Sequence, residues 1–541
     1  MTVAPRSMGT GPSTRTALSL FACAIAAGVA APITVVFLDA YQSGWSDVRA
    51  VLFRARSYHL LTNTVGLAVL VVVCAALVGT AAALALERGA VRHGGVWTVL
   101  LVLPMAMPDF VVGVAWHSLW PTMPPLAAAT AIMTLSTYPL VFLPVSAALR
   151  RSDPELANVA RSLGLSAART FQRVTLPAIR TAIGGGALLA VLVVISEYGA
   201  FEVVRFHTLT TEIFAEFEFA PPVAAALSIP LVVLGLIALA IDGAIPRRAT
   251  GFQVRPRAAN ETVGTPGRPT LALLTTAGFS IVVAAGVVLP VAMVLSWMHQ
   301  SRRTTLPPVS SLSQAAWTTV SYSFAAACVV MAAAVPFAYL TVRYPSKFSA
   351  ALQKATFLTR ATPGVIVAVT LVYLSINLVF TLYQTSGLLI AAYALLFFPL
   401  GLVCIQSTLT AVPPQLAEVA RSLNRSFGYV FMRVTLPLIA PGLAAGFCLV
   451  FVTAATELTA TLILAPPGVS TLATQFWAYQ TEGSYGAAGP YALAMVVVAV
   501  IPGALLGLWF DRRPPAQTHP ADSAIEALGT QPHALRAGVW R

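Results

Sequence analysis

Apolar runs of about twenty residues alternate with short polar segments along nearly the whole chain, from LSLFACAIAAGVAAPITVVFL (18–38) to YALAMVVVAVIPGALLGLWF (491–510). A run of about twenty apolar residues is what a helix needs to cross the hydrocarbon core of a bilayer. Twelve such stretches lie near 17–40, 61–86, 96–119, 124–149, 183–203, 222–243, 270–297, 316–341, 356–380, 387–411, 438–464 and 487–510. The pattern predicts an all-α, polytopic membrane protein with about twelve transmembrane helices. The first stretch follows Arg6 and Arg15, as a signal peptide would, but its apolar run of about 22 residues exceeds the usual secretory core of roughly 7–15. It is read as a retained anchor.

Composition agrees. The chain is 57% hydrophobic and 9% charged, where a soluble domain carries roughly 25% charged residues. Its net charge of +13 would suggest nucleic acid in a soluble protein, but the placement of the charge says otherwise. With the N-terminus in the cytoplasm and the sides alternating, about 26 of the 32 Lys and Arg fall at cytoplasmic ends or loops, and about 6 outside. The positive-inside rule then puts both termini in the cytoplasm, and the basic balance reflects topology among membrane lipid rather than nucleic-acid binding. Cys23, Cys74, Cys328, Cys404 and Cys448 all fall in apolar stretches without CxxC spacing, and are expected to be small buried residues.

The chain also repeats itself. VARSLGLSAARTFQRVTLP (159–177) returns as VARSLNRSFGYVFMRVTLP (419–437), and 15 of 25 positions are identical between 153–177 and 413–437. The same offset of 260 pairs Glu197 with Glu457, and TTEIFAEF (210–217) with STLATQFW (470–477). Earlier in each half an offset of 255 pairs MPDFVVGVAW (107–116) with TPGVIVAVTL (362–371). The expected organisation is a first six-span repeat over 1–243, a Pro- and Arg-rich cytoplasmic linker over 244–269, a second six-span repeat over 270–510, and a polar cytoplasmic tail over 511–541. An even number of spans per half leaves the two repeats parallel, whereas many secondary transporters use inverted ones.

The repeated stretches are not spans. In the first, Asp153-Pro154 reads as a helix start, and Leu156, Val159, Ala160 and Leu163 follow at helical spacing. Leu416, Val419, Ala420 and Leu423 do the same in the second. Gly164 and Asn424 stand where each short helix should stop, the two residue types that best tolerate a left-handed cap. A second helix is expected to start at Ser166 and at Ser426.

These loops resemble the cytoplasmic EAA loop of permeases in binding-protein-dependent ABC importers, whose pattern is EAA-x3-G-x9-I-x-LP. The first copy fits as Asn158-Val159-Ala160, Gly164, Val174 and Leu176-Pro177, and the second as Glu418-Val419-Ala420, Asn424, Val434 and Leu436-Pro437. Each departs once, at Asn158 and at Asn424. The resemblance implies two tandem parallel permease repeats in a bacterial cytoplasmic membrane, with each loop docking on one of two copies of an ABC ATPase subunit. It also implies an extracytoplasmic solute-binding protein, with ATP and Mg held by the ATPase. The chain has no GxxxxGK[ST], and its only lysines, Lys347 and Lys354, lack the glycine pattern that precedes a phosphate-binding lysine. No catalytic residue and no cofactor of its own is expected, and a metal site stays open.

Asp109, Glu197 and Glu457 lie within the apolar stretches, away from their ends. A carboxylate at membrane depth costs on the order of +2.5–3.5 kcal/mol on insertion scales unless it meets a cavity or a partner. All three are candidates for the translocation path; the other role open to the glutamates is bonding to hydroxyls such as Ser196, Thr456 and Thr459. Pro104, Pro108 and Pro363 are expected to kink the third span of each half. Glu202, Glu212, Glu216 and Glu218, with Trp477, Tyr479 and Glu482, are candidates for an outer docking surface. ISEYGAFEVVRFHTLTTEIF (195–214) and TELTATLILAPPGVSTLATQFW (456–477) are similar to fused twelve-span permeases of ferric-iron importers, with thiamine, putrescine and aminoethylphosphonate systems as relatives. Paired acids suit a cation, so ferric iron leads as cargo. An ion-gradient-driven secondary carrier is the rival of a different class, but it gives its cytoplasmic loops no reason to repeat at fixed spacing.

Overall fold

The computed structural model of the protein describes residues 12–42, 44–88, 94–152, 154–244, 269–300, 306–358, 362–413, 415–416 and 426–511. Every regular element among them is helical. The first half contains α1 (Pro12–Gln42), α2 (Trp45–Leu52), α3 (Ala55–Glu87), α4 (Gly94–Val102), α5 (Asp109–Leu119), α6 (Pro125–Arg151), α7 (Pro154–Ser162), α8 (Ala167–Thr170), α9 (Leu176–Ser196), α10 (Gly199–Val203), α11 (Leu209–Phe219) and α12 (Pro221–Ala244). The second contains α13 (Pro269–Val283), α14 (Leu289–Gln300), α15 (Val309–Arg343), α16 (Lys347–Leu358), α17 (Gly364–Leu378), α18 (Ser386–Ala411), α19 (Phe427–Val430), α20 (Leu436–Ala455), α21 (Thr459–Leu464), α22 (Leu472–Thr481) and α23 (Tyr485–Asp511).

Ten of the twelve expected stretches form single helices long and apolar enough to cross a membrane. The third is a helix pair, Gly94–Ala106 and Asp109–Leu119, bent by 87° at the break. The ninth is the shorter apolar helix α17. Simple kinking was the expectation for the third span, and proline chemistry explains why the bend is sharper. Pro108 cannot donate to the preceding turn, and Met107 before it is forced into an extended conformation at φ −84°, ψ 129°. Pro363 stands at the start of α17 in the same extended conformation as Pro108 at the start of α5.

Each half is built on a three-helix bundle, α3–α6–α9 in the first and α15–α18–α20 in the second. Between transmembrane helices there is little hydrophobic drive, so close approach at small residues supplies the packing. At Gly79 of α3 a methyl group would lie 2.7 Å from the Tyr138 carbonyl oxygen and 2.9 Å from the Phe142 nitrogen. The first helix of each half crosses to the other. Ala22, Ala26 and Val29 of α1 are buried with Ala326, Ala327 and Val330 of α15. Phe279 and Val283 of α13 are buried with Tyr138 and Ile179 of the first half, and Trp116 donates from Nε1 to the Ala285 carbonyl at 3.2 Å. The five cysteines are free, and contrary to expectation none is fully buried; Cys328 is exposed.

Three long helices change pitch just before a proline. Phe171–Thr175, Phe431–Thr435 and Ala284–Val288 are π-helical turns, each ending two residues short of Pro177, Pro437 or Pro290. A proline inside a helix lacks its N–H and crowds the carbonyl four residues back, and a wider turn relieves both. The helices that begin at Ala167 and at Phe427 therefore run on through Pro177 and Pro437 instead of stopping there.

Gly79→Val should lower the thermal midpoint of the detergent-solubilised protein through overpacking of roughly 1–3 kcal/mol. Gly66→Val, one helix face away with nothing within 4 Å, should leave the midpoint nearly unchanged. Equal midpoints for the two variants would contradict the close α3–α6 contact.

Candidate functional site

The two glutamates do not lie inside their spans. α9 ends at Ser196 and α20 at Ala455, so Glu197 and Glu457 fall in the breaks that follow. A helix that restarts within a protein interior leaves its first backbone N–H groups to find acceptors. The Glu197 carboxylate accepts from the Ala200 N–H at 2.8 Å, and the Glu457 carboxylate accepts from the Ala460 N–H at 3.0 Å. Each acid therefore caps the short helix that follows it, α10 or α21. The expected hydroxyl partners do not hold the carboxylates: Ser196 and Thr456 donate instead to backbone carbonyls of their own helices.

The two turns meet at the junction of the halves. A methyl group on Gly199 would lie 2.9 Å from both Leu458 Cδ2 and Phe110 Cβ. Asp109, the first residue of α5, is thereby brought to the same place, and both Asp109 and Glu457 lie within electrostatic range of Glu197. Ser136 of α6 is in hydrogen-bond reach of the Asp109 carboxylate. All three acids are half-buried. Among the described residues no Lys or Arg forms an ion pair with any of them. Nor do any three His, Cys, Asp or Glu residues stand close enough together to hold a metal ion.

The cluster is lopsided. The offset of 255 that places Asp109 in the first half places Gly364 in the second, where a methyl group would lie 3.4 Å from Glu457 Oε1. Around Glu457 the lining is polar instead. Its backbone carbonyl accepts from the Thr461 hydroxyl at 2.6 Å, which pairs in turn with the Tyr393 hydroxyl at 2.6 Å. The equivalent Tyr138 hydroxyl donates to the Leu101 carbonyl. Tyr393 and Thr461 went unread in the sequence; carrying the 255 offset through YPL (138–140) would have shown the recurrent tyrosine, though not its partner.

Above the carboxylates, on the side of the loops after α10 and α21, sits a group of aromatic rings. Tyr198 stacks on Phe214 with centroids 4.1 Å apart and lies 5.7 Å from Trp477. Phe110 lies 5.5 Å from Phe476 and 6.5 Å from Trp477. Phe214 comes from α11, and Phe476 and Trp477 from α22; the starts of these two helices correct the expected pairing of 210–217 with 470–477. Thr208 and Thr471 begin the two helices with the same capping box. Thr64 and Thr319 accept from Leu209 N–H at 3.0 Å and Leu472 N–H at 2.8 Å. The true offset here is therefore 263, because the APPG loop of the second half is three residues longer. Glu212 is also misassigned as an outer docking residue. It is buried, and Arg56 binds it with two nitrogens at 2.5 and 2.7 Å.

On the opposite side, α7 forms as predicted. Gly164 adopts φ +83° and its N–H bonds the Arg161 carbonyl at 2.9 Å, while Leu165 N–H returns to Ala160 at 3.1 Å. The Ser166 side chain caps α8. Of the apolar stripe only Ala160 is buried, at 6% exposure, while Leu156 and Val159 are 55% exposed and Leu163 79%. Asn158, Leu176, Pro177 and Pro437 are exposed and Leu436 is half-buried. Glu418, Val419, Ala420, Leu423 and Asn424 lie outside the described residues.

Comparison with known proteins follows the same outline. The family described as binding-protein-dependent transport system inner membrane component matches twice, over residues 75–251 and 330–513. A Fe(3+)-transport system permease protein of Haemophilus influenzae is 34% identical over 496 residues, covering 90% of this chain and 97% of its own. A sulfate transport system permease protein of Synechocystis is 29% identical over 230 residues, 38% of this chain and 82% of that one. A probable molybdenum ABC transporter permease protein of Haloferax volcanii is 35% identical over 134 residues, 25% of this chain and 42% of that one.

The Arg56–Glu212 pair joins a carboxylate 5% exposed to a guanidinium 64% exposed. Arg56→Met strands a buried charge and should cost roughly 2 kcal/mol, less than a fully buried pair because Arg54 stands nearby. Glu212→Gln leaves only a hydrated cation and should cost about 1 kcal/mol. Thermal midpoints in the reverse order would refute this asymmetry.

Proposed function

Because this chain belongs to the family of binding-protein-dependent transport system inner membrane components, we propose that its two cytoplasmic loops couple ATPase subunits to a cation path lined by Asp109, Glu197 and Glu457. The chain is a multi-pass inner-membrane permease of an ABC importer, a transporter rather than an enzyme, and it works with an ATPase and a solute-binding protein. Two ATPase copies, one per loop, are the stoichiometry that the duplication calls for, with ATP and Mg bound there. Both termini then lie in the cytoplasm, and lipid surrounds the outward faces of the ten long helices.

The cargo is ferric iron. Asp109 and Glu457 each lie within electrostatic range of Glu197 at the junction of the halves, with no Lys or Arg paired to any of the three among the described residues, and that observation carries the reading. Carboxyl groups without a basic partner in a low-dielectric interior are stabilised as carboxylates by an approaching cation, and carboxylate oxygens are hard ligands. The iron-permease relative points the same way. In this reading the aromatic rings of α11 and α22 close the path on the outer side. ATP binding and hydrolysis on the partner rock the halves between outward and inward openings.

The docking surface is the stripe Leu156, Val159 and Leu163, an apolar face left exposed on a helix stopped by Gly164. Leu163→Glu should abolish co-purification of the ATPase while leaving the permease folded, because the side chain touches little of its own chain. Retention of the ATPase by that variant would remove the docking assignment.

Glu197→Gln and Glu457→Gln each keep an acceptor for the Ala200 or Ala460 N–H, so they remove charge and leave the caps. Together they should lower uptake of ferric iron into proteoliposomes by tenfold or more, about 1.4 kcal/mol per factor of ten. Undiminished uptake by the assembled double variant would take both glutamates off the path. Tight binding of an organic solute alone by the partner binding protein would replace iron as cargo.

A further inference from the structure

We propose that Arg88 and Arg343 are positioning residues that fasten each cytoplasmic loop to the second long helix of its own half, so that movement of a docked loop is handed to the bundle. The proposal rests on the coupling role given to these loops. The two arginines stand 255 residues apart, the offset that relates the early parts of the repeats. Each sits at the cytoplasmic end of the helix, α3 or α15, that packs most closely against the loop's neighbours.

In the first half Arg88 donates from Nη2 to the Thr175 hydroxyl at 3.0 Å. Thr175 is buried and closes the π-turn through which the loop enters α9. The adjoining Glu87 pairs with Arg150 at 2.8 Å, at the end of α6 where the loop begins. The tip of α3 therefore holds both ends of one loop. Arg161, in the last turn of α7, acts on the same guanidinium: burial first, and then this like charge, lower the Arg88 pKa from its ordinary value. In the second half Arg343 donates from Nη2 to the Val412 carbonyl at 2.9 Å and reaches the Leu409 carbonyl at 3.4 Å. Those are terminal carbonyls of α18, where the second loop begins. Gln406 adds a bond from α18 to Thr341 at 2.9 Å.

Arg88 bonds the turn through which the first loop enters α9, and Arg343 bonds the end of the helix from which the second loop departs, so each ties the second long helix to a junction of its loop. The first is attached at the loop's exit and the second at its entrance, so one ATP-driven displacement reaches the two bundles through different lever points.

The test uses the permease assembled with its ATPase in lipid nanodiscs, with or without trapping by ATP and orthovanadate. Amide exchange is read at the two carboxylate turns, 196–200 and 456–460. Arg88→Gln and Thr175→Val should bind ATPase and hydrolyse ATP as the parent does. Their trapping-induced exchange change at 196–200 should be about tenfold smaller, the loss of one charge-assisted bond. Arg343→Gln should do the same at 456–460, and Arg88→Lys should restore part of the response. The double variant Arg88→Gln/Thr175→Val should be no worse than either single one. An unaltered exchange response in assembled Thr175→Val and Arg343→Gln overturns the proposal. If an arginine variant fails to assemble, Thr175→Val, which removes only the acceptor, decides alone. Failure of the unmutated chain to bind ATPase overturns the docking reading instead, and the latches with it.

Discussion

The structure depends on one constraint: inside a bilayer, a helix that stops must have its freed backbone groups satisfied by the protein itself. α9 and α20 both end at a break in the chain, and in both the acceptor for the next turn is a glutamate carboxylate. Those two caps allow irregular backbone at the junction of the halves. Around them α10 can pack on α5 and α21 on α17, and the absence of a side chain at Gly199 lets the two turns touch. The acids that make the break tolerable are thus the same acids that supply charge to the centre.

Duplication explains the framework, and departures from it explain the chemistry. Both halves share the Pro-directed π-turn, the capping glutamate, the Thr–Thr capping box and the arginine at the end of the second long helix. They differ where a single solute crossing the junction would meet them. One side offers Asp109 beside Glu197, the other Gly364 beside Glu457 with Tyr393 and Thr461. A symmetric pair of chains could not hold such a lopsided site, whereas a fused chain can vary one copy while the other keeps the scaffold. The crossing of α1 and α13 onto the opposite half ties the two copies together through buried side chains, so that the lopsided site sits inside one packed unit.

Much of this could be read before any coordinates. Helix type follows from the length of the apolar runs, and ten of the twelve expected spans appear as single long helices, because a bilayer sets a length that few other environments demand. The stop at Gly164 is legible because only a residue without a Cβ adopts φ near +83° freely. The misreadings are equally specific. Pro104 and Pro108 announce a disturbance, but two prolines four residues apart do not state an angle; what packs on either side does. Glu212 reads as an outer docking residue because its partner, Arg56, is 156 positions away. The pairing of α11 with α22 slipped by three because few residues are shared there, and the bonds to Thr64 and Thr319 with the matching capping boxes reveal the true register.

What the sequence alone determined is what local chemistry and membrane thickness impose: an all-helical, duplicated membrane chain whose two halves carry the same segment between their fourth and fifth apolar stretches. What only the tertiary structure decided is which distant groups share a place. Asp109 and Glu457 come within electrostatic range of Glu197, Arg88 reaches Thr175, and Arg56 covers the buried Glu212. Such convergences depend on helix crossings set by close contacts such as that at Gly79, and no spacing along the chain encodes a contact made between helices.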